Sequence, residues 1–110
     1  MSSVTSTREG AIAVIRFGEP PVNSLGRATR SDVARELAAA MADPSVDGIV
    51  LAGNNGLFSA GADIREFGTP AMLASPNLAD LIVRVESSPK PVVAAIEGTC
   101  LGGGLSLIHI

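Results

Sequence analysis

The sequence has few of the residues that build nucleic-acid platforms, disulfides or charged binding surfaces. It contains no tryptophan or tyrosine and only 3 phenylalanines, so base stacking on aromatic side chains is not expected. A single cysteine, Cys100, excludes an intrachain disulfide and favours a reducing, intracellular setting. Eight basic residues against 11 acidic ones give a net charge of -3. This balance argues against nucleic acid or an anionic membrane surface as a partner.

Long apolar runs and targeting signals are also missing. No stretch reaches the roughly 20 apolar residues that span a bilayer, and the first residues lack the pattern of a secretory signal. Hydrophobic residues nevertheless make up 46% of the 110 residues, which is sufficient for a packed core. The composition therefore predicts one globular domain at most, or part of a larger one.

Apolar periodicity predicts alternating strands and helices. Strands are predicted over residues 11–17, 48–52 and 92–96, and the last two are apolar throughout, as in strands buried on both faces. Two stripes at helical spacing predict helices between them: Val33, Leu37, Ala40 and Met41, then Leu78, Leu81, Ile82 and Val85. This order is typical of an α/β fold with a largely parallel sheet.

The first predicted helix has recognisable ends and one charged side. Ser24 or Ser31 is expected to cap its start, and Asp43 with Pro44 to end it. Four charged residues fall mostly off the apolar stripe and are expected at the surface: Arg30, Asp32, Arg35 and Glu36.

Two segments of small residues follow the second and third predicted strands, over residues 58–64 and 97–105. Ligands of α/β sheets gather beyond the carboxyl ends of strands, and small residues let a ligand approach the main chain. Two such loops could direct two N–H donors at one oxygen, as in an oxyanion hole. Each loop taken alone is explained by tight turns. The glycines at 102–104 do not form a dinucleotide fingerprint, because Leu107 stands where its third glycine would be.

Four segments together resemble the enoyl-CoA hydratase/isomerase, or crotonase, family. They are PVNSL at 21–25, FSAGADI at 58–64, SPKPVVAAI at 88–96 and GTCLGGGL at 98–105, in the family's order and spacing. The sequence looks most like the hydratase part of bifunctional β-oxidation enzymes, which continue into an NAD-dependent 3-hydroxyacyl-CoA dehydrogenase. The resemblance implies a crotonase-like ββα spiral that is incomplete, with only its N-terminal part present.

The resemblance also implies a ligand and a site. The ligand is an acyl-CoA thioester, whose carbonyl oxygen would accept hydrogen bonds from the backbone N–H groups of Ala62 and Gly103. These donors would hold the enolate oxygen formed when water adds to a 2-enoyl-CoA. The positions that match the lining of the CoA pocket are Ala60, Ala62, Asp63, Ile64, Arg65 and Gly103. No metal is implied, nor any cofactor besides the coenzyme A of the substrate. The family implies a homotrimer when the domain stands alone.

The end of the chain departs from the family. The first acid/base glutamate of a hydratase is replaced by Ser106, and a serine without a base beside it cannot do this work near neutral pH. The second glutamate would fall past residue 110. Residues 105–110, LSLIHI, match one reading frame of a transposase adapter used in DNA library preparation, and we interpret them as foreign. The chain is thus expected to comprise a disordered N-terminus over 1–9, a partial crotonase domain over 10–104 and an atypical tail over 105–110.

Several alternatives remain open at this point. The parent enzyme would hydrate 2-enoyl-CoA in fatty-acid β-oxidation, and the fragment itself is expected to be inactive and poorly folded alone. Enoyl-CoA isomerisation, decarboxylation or thioester hydrolysis would use the same oxyanion hole. A non-catalytic acyl-CoA-binding paralogue would fit Ser106. The compartment would be the cytoplasm in a bacterium, or the peroxisome or mitochondrion in a eukaryote.

Other polar side chains are given structural interpretations. His109 lies at the end of the chain without partners, and Glu97 is expected to be solvated. Cys100 is interpreted as a small apolar filler and Asp63 as a first-turn residue instead of a proton donor. Arg65 and Lys90 could pair with the phosphates of CoA, but they are interpreted as solvated cations.

Overall fold

A computed structural model describes residues 3–20, 23–59, 61, 63–98 and 100. The strands are β1 (Thr5–Glu9), β2 (Ile12–Phe17), β3 (Gly48–Gly53) and β4 (Val92–Ala95), and the helices are α1 (Arg27–Ala42) and α2 (Leu78–Glu86). Two short 3-10 turns, Ile64–Glu66 and Pro70–Met72, lie between β3 and α2. The predicted alternation of strands and helices is confirmed. No helix in these ranges combines the length and apolarity needed to cross a membrane.

The four strands form one sheet in the order β1-β2-β3-β4. Strands β2, β3 and β4 are parallel, with Ile12 beside Gly48 and Ile49 beside Val92. The predicted parallel sheet is therefore confirmed, and β1 adds an antiparallel edge. Because three parallel strands end at the same edge, the loops that follow β3 and β4 leave the sheet together.

Strand β1 corrects the prediction for the N-terminus. Residues 1–9 were expected to be disordered, yet residues 5–9 pair with β2, Thr5 beside Arg16 and Glu9 beside Ile12. Gly10, with φ +60°, makes the tight turn between them. All five side chains of β1 are exposed, so its sequence shows no apolar alternation. Main-chain hydrogen bonds to β2 hold this strand. Such bonds produce no pattern of side-chain types, so the strand cannot be predicted from its polar residues.

One face of the sheet is closed by the helices. Ile15, Phe17, Ile49 and Leu51 are each at most 1% exposed and belong to one core cluster with residues of α1 and α2. The helical side of that cluster consists of the predicted apolar stripes: Val33, Leu37 and Ala40 of α1, and Leu81 and Val85 of α2. Each stripe is therefore confirmed as the buried side of its helix.

The other face of the sheet is open. Val93 is 58% exposed and Val50 is half-buried, so β3 and β4 are not buried on both faces as predicted. A shallow depression of about 400 Å³ lies here, lined by Glu9, Ile12, Val14, Arg16, Val50, Ala52, Gly53, Ala95 and Glu97. The helices of the described residues pack on the opposite face only, so they do not cover this face of the sheet.

Both ends of α1 are held by distant residues. The predicted serine caps are wrong, because the N-cap is Gly26 and no side chain caps from that position. A carboxylate oxygen of Glu66 instead accepts the backbone N–H of Arg27 at 2.8 Å. The helix ends before Asp43, as predicted, and Lys90 Nζ donates to the carbonyls of Ala40 and Asp43 at 2.9 and 2.7 Å. Lys90 is thus a capping residue and not a solvated cation.

Candidate functional site

The two small-residue loops lie side by side. Beyond the ends of β3 and β4, Ser59 and Cys100 form an isolated parallel bridge. Ala62 follows Ser59 by three residues, and Gly103 follows Cys100 by three. The predicted donors Ala62 and Gly103, and Ala60 beside them, lie outside the described residues. The bridge therefore supports the meeting of the two loops, while the roles of these three positions stay predictions.

A single buried amide organises the first loop. Asn23 is fully buried, and its Nδ2 group donates to the carbonyls of Asn54, Leu57 and Phe58 at 2.6, 3.1 and 3.3 Å. Its Oδ1 atom accepts from Asn55 Nδ2 at 3.1 Å. Asn23 has φ +51°, a left-handed conformation that asparagine tolerates better than most residues. We call this hydrogen-bond cluster the Asn23 clamp.

The loop folds back closely on the end of β3. A Cβ added to Gly53 would lie 1.9 Å from the carbonyl oxygen of Leu57, so only glycine fits there. The Phe58 ring is fully buried and meets the Phe17 ring edge-on, with centroids 5.2 Å apart. The loop is therefore held by two sets of contacts, the Phe17–Phe58 ring pair in the core and the hydrogen bonds of the Asn23 clamp.

Ser59 extends the clamp toward the predicted donor. Its Oγ atom donates to the backbone carbonyl of Asn23 at 2.7 Å and accepts the N–H of Gly61 at 3.0 Å. The carbonyl of Gly61 accepts the N–H of Leu25 at 2.8 Å. Both Ser59 and Gly61 are buried. Gly61 therefore has its amide and its carbonyl fixed by two separate segments of the chain.

Asp63 and Arg65 form a bidentate pair at the surface. Asp63 Oδ1 accepts from Arg65 Nε at 2.9 Å, and Asp63 Oδ2 accepts from Arg65 Nη2 at 2.7 Å. Asp63 Oδ1 also accepts the backbone N–H of Arg65 at 3.0 Å, so Asp63 lies directly before the first 3-10 turn and caps it, instead of lying within its first turn as predicted. The side-chain hydrogen bond from Arg65 is the largest cause that lowers the pKa of Asp63. Asp63 is thus a carboxylate near neutral pH and does not serve as a proton donor.

Arg30 is a buried cation, although it was expected to lie off the apolar stripe of α1 with the other charged residues. It is 2% exposed, and its guanidinium donates to Glu66 Oε1 at 3.1 Å and to the Leu25 carbonyl at 2.8 Å. Three further carbonyls accept from it, those of Ala71, Ala74 and Pro76. A signal was present in the sequence, because Arg30 precedes Val33 by three residues and Leu37 by seven, on the same helical stripe. We call this cluster the Arg30 clamp.

The Arg30 clamp holds a segment with little other support. None of the side chains in the Pro70–Met72 turn is buried, and Phe67 and Leu73 are exposed. A cavity of about 220 Å³ lies beneath this segment, lined by Leu25, Arg30, Asp63, Glu66, Met72, Leu73, Asn77, Leu78 and Ala79. The position of residues 71–76 is therefore decided mainly by their carbonyl bonds to one guanidinium. Met72 lies at this cavity.

The remaining candidates are structural. Cys100 packs against the core, and burial raises the pKa of its thiol, so the thiolate is disfavoured. Glu97 is exposed, as predicted. Ile64 begins the first 3-10 turn. Ser106 and His109 lie outside the described residues. Over the residues that the structure does describe, no group of three or more potential ligands is placed to hold a metal ion.

The sequence profile of the enoyl-CoA hydratase/isomerase family matches residues 7–110, so the chain belongs to this family. Its sheet and helices form a partial crotonase-type domain. The peroxisomal bifunctional enzyme of Danio rerio is 46% identical over 97 residues. The peroxisomal fatty acid beta-oxidation multifunctional protein AIM1 of Arabidopsis thaliana is 41% identical over 102 residues. The crystal structure of enoyl-CoA hydratase from Thermoplasma volcanium GSS1 superimposes with a TM-score of 0.87 at 30% identity.

These matches cover most of this chain and a minor part of each relative. The Danio rerio match covers 88% of this chain and 13% of that enzyme, and the Arabidopsis thaliana match covers 87% and 14%. The Thermoplasma volcanium structure aligns with 97% of this chain and 45% of its own. The profile match includes residues 105–110, whose foreign origin stays a prediction.

Proposed function

We propose that this chain is the acyl-CoA-binding part of an enoyl-CoA hydratase of fatty-acid β-oxidation, and that the 110 residues alone are inactive. The observation that carries the proposal is the Ser59–Cys100 bridge, which brings together the two loops whose following amides are the predicted donors. Membership of the hydratase/isomerase family and similarity to enzymes named for β-oxidation support the substrate class.

The chemistry follows from where charge develops. When water adds to the double bond of a 2-enoyl thioester, negative charge moves onto the thioester oxygen. Two main-chain N–H groups, those of Ala62 and Gly103, would meet that oxygen. Each such donor is worth about 3–4 kcal/mol of transition-state stabilisation when its position is set in advance. Beside them, Ala60, Asp63, Ile64 and Arg65 would line the CoA pocket, and the ion pair of Asp63 with Arg65 would keep the carboxylate out of the proton chemistry.

The acid/base step needs groups that this chain does not supply in the family's place. Ser106 stands where a hydratase has its first glutamate. A non-catalytic acyl-CoA-binding paralogue is therefore our second candidate function, and Ser106 is the residue that favours it. The two candidates differ in a simple way, because a binding module would take up an enoyl-CoA and release it unchanged.

The partners and the compartment are proposed from the same relatives. The acyl-CoA thioester is the ligand, with no cofactor besides its coenzyme A. A homotrimer, or fusion to an NAD-dependent 3-hydroxyacyl-CoA dehydrogenase, would complete the assembly. In a eukaryote, the relatives named peroxisomal point to the peroxisome ahead of the mitochondrion. In a bacterium the enzyme would be cytoplasmic.

Hydration of crotonyl-CoA tests the proposal. The complete protein encoded by the gene should hydrate the thioester, whereas the 110-residue chain should not. In the complete protein, Ala62→Pro removes one N–H donor and should lower kcat at least 100-fold. Ala62→Gly keeps the N–H and is the matched control, with activity near that of the unaltered protein. Binding of crotonyl-CoA without turnover by the complete protein would favour the paralogue, and absence of binding would refute both candidates.

A further inference from the structure

Two hydrogen bonds at Gly61 fix one stretch of backbone immediately before the first predicted donor. We propose that Ser59 is a positioning residue that, together with the Leu25 N–H, holds Gly61 and so orients the predicted Ala62 donor for the thioester oxygen. This inference rests on the proposed function, since it assigns a task to a residue beside the proposed oxyanion hole.

The hydroxyl of Ser59 connects two segments that are distant in sequence. It donates to the carbonyl of Asn23 at 2.7 Å and accepts the N–H of Gly61 at 3.0 Å. Ser59 and Asn23 are both fully buried, so water does not compete for these bonds. The Asn23 side chain in turn holds three carbonyls of the preceding loop. Through Ser59, Gly61 is therefore tied to the rigid centre of the loop.

The second bond acts on the other side of Gly61. Its carbonyl accepts the N–H of Leu25 at 2.8 Å. A peptide group is planar and trans, so the direction of a carbonyl sets the plane of the N–H that follows it in the chain. Gly61 has φ +113°, which residues with a Cβ rarely adopt. With both sides of Gly61 held, the next amide would be oriented before substrate arrives.

Prior orientation is what gives an oxyanion donor its effect. Donors that must turn toward the developing charge lose part of their stabilisation to reorganisation, whereas fixed donors do not. Loss of the Ser59 hydroxyl would leave the fold and the CoA pocket in place but free the Gly61 amide. The consequence should therefore appear in the chemical step more than in substrate binding.

The test compares Ser59→Ala with Ser88→Ala in the complete protein encoded by the gene. Ser88 is the matched control, because its Oγ also accepts the N–H two residues later, from Lys90 at 3.2 Å, at the start of β4. Ser59→Ala should lower kcat about tenfold, the equivalent of 1.4 kcal/mol, with KM changed less than about twofold. Ser88→Ala should leave both constants unchanged.

A spectroscopic measurement separates orientation from general loss of structure. The infrared stretch of a ¹³C-labelled thioester carbonyl in bound crotonyl-CoA falls in frequency when the oxygen accepts strong hydrogen bonds. Ser59→Ala should move this band back toward that of the free thioester, while Ser88→Ala should not. Ser59→Cys, in which sulfur is a weaker acceptor, should give an intermediate band, and it replaces Ser59→Ala if that variant does not fold.

The possible outcomes separate the positioning role of Ser59 from the existence of the oxyanion hole. A folded Ser59→Ala protein with an unchanged band and unchanged kcat would overturn the positioning role and leave the proposed function intact. An unaltered protein that binds crotonyl-CoA without any shift of the band would overturn the oxyanion hole itself. A lower kcat together with a shifted band supports the inference.

Discussion

The Asn23 clamp and the Arg30 clamp hold neighbouring segments of the candidate site by different means. Asn23 is neutral and binds three carbonyls of a short loop that also anchors itself in the core through Phe58. Arg30 is charged and binds the Glu66 carboxylate together with carbonyls of a segment without buried side chains in its 3-10 turn. The first clamp supplements a packed loop, whereas the second is the main attachment of its segment.

Because of this difference, the two segments should respond differently to amino-acid substitution. A buried neutral group that loses its partners costs about 1–3 kcal/mol, and a buried charge that loses its partner costs more. We therefore expect the loop near Ser59 to stay close to its position after most substitutions. The segment over residues 71–76 should instead lose its position once the guanidinium is gone.

The largest expected effect is that of Arg30→Met. This substitution keeps an unbranched apolar stem but removes the guanidinium, which leaves Glu66, the buried Leu25 carbonyl and three part-buried carbonyls without this donor. The free energy of unfolding should therefore fall by about 3 kcal/mol. Urea denaturation of the complete protein encoded by the gene measures the change. Arg35→Met on the same helix is the control, because Arg35 is exposed and pairs with Asp32 at the surface, where a pair is worth at most about 1 kcal/mol. Equal losses for the two variants would contradict a special role for Arg30.

The second effect is that of Asn23→Ala, which should lower the free energy of unfolding by about 2 kcal/mol. Three loop carbonyls lose a donor, and alanine is less suited than asparagine to the left-handed conformation at this position. Asn23→Asp keeps the shape but turns carboxylate oxygens toward those carbonyls, so it should be at least as destabilising. A loss larger than that of Arg30→Met, measured in the same urea series, would reverse the comparison between the clamps.

A third, smaller effect is expected for Glu66→Gln. The amide keeps the shape of the side chain but retains one acceptor oxygen, so either Arg30 or the backbone N–H of Arg27 loses its acceptor, and the negative charge is removed. Because the guanidinium still has its carbonyl partners, the free energy of unfolding should fall by only about 1 kcal/mol. Hydrogen exchange of the amides in residues 71–76 provides a local readout. Exchange as fast as in Arg30→Met would show that the ion pair, and not the carbonyls, holds the segment.

The smallest effect concerns the exposed pair outside both clamps. Arg65 lowers the pKa of Asp63 below its ordinary value, so the pair contributes stability above the ordinary aspartate pKa. That contribution is lost as the pH falls through the lowered pKa. Arg65 is 78% exposed, so solvent screens the pair and its contribution to stability should be small. In Arg65→Ala, a carboxyl NMR titration should show the pKa of Asp63 raised relative to the unaltered protein. An unchanged titration of Asp63 would exclude Arg65 as the cause.

Much of the framework was readable from periodicity and turn residues. The apolar stripes of α1 and α2 identified their buried sides, and the apolar segments identified β3 and β4, because burial of side chains has a local signature in sequence. Strand β1 was not predicted, because main-chain pairing holds it and its side chains are exposed. The open face of the sheet was not predicted either. Apolar residues such as Val93 indicate burial, but they do not show which element would cover them.

The site divides in the same way. The small residues near Gly61 and the resemblance to the hydratase family pointed to two loops that the Ser59–Cys100 bridge brings side by side, whereas Asp63 lies just before the first 3-10 turn and not within it. The Asn23 clamp and the Arg30 clamp could not be predicted from local sequence patterns. Asn23 lies more than 30 residues from the carbonyls it holds, and Arg30 lies more than 40 residues from those of Ala71, Ala74 and Pro76.

The strand and helix order, the family, and the two loops in which a thioester oxygen would be met can all be predicted from the amino-acid sequence. Those features depend on side-chain type and on spacing along the chain, which are local properties. The capping of α1 by Lys90, the burial of Arg30 and the link from Gly61 through Ser59 to Asn23 are seen only in the folded chain. Each of these depends on a polar group finding its partner after the chain has folded, because a buried donor must be paired wherever in the sequence its acceptor lies.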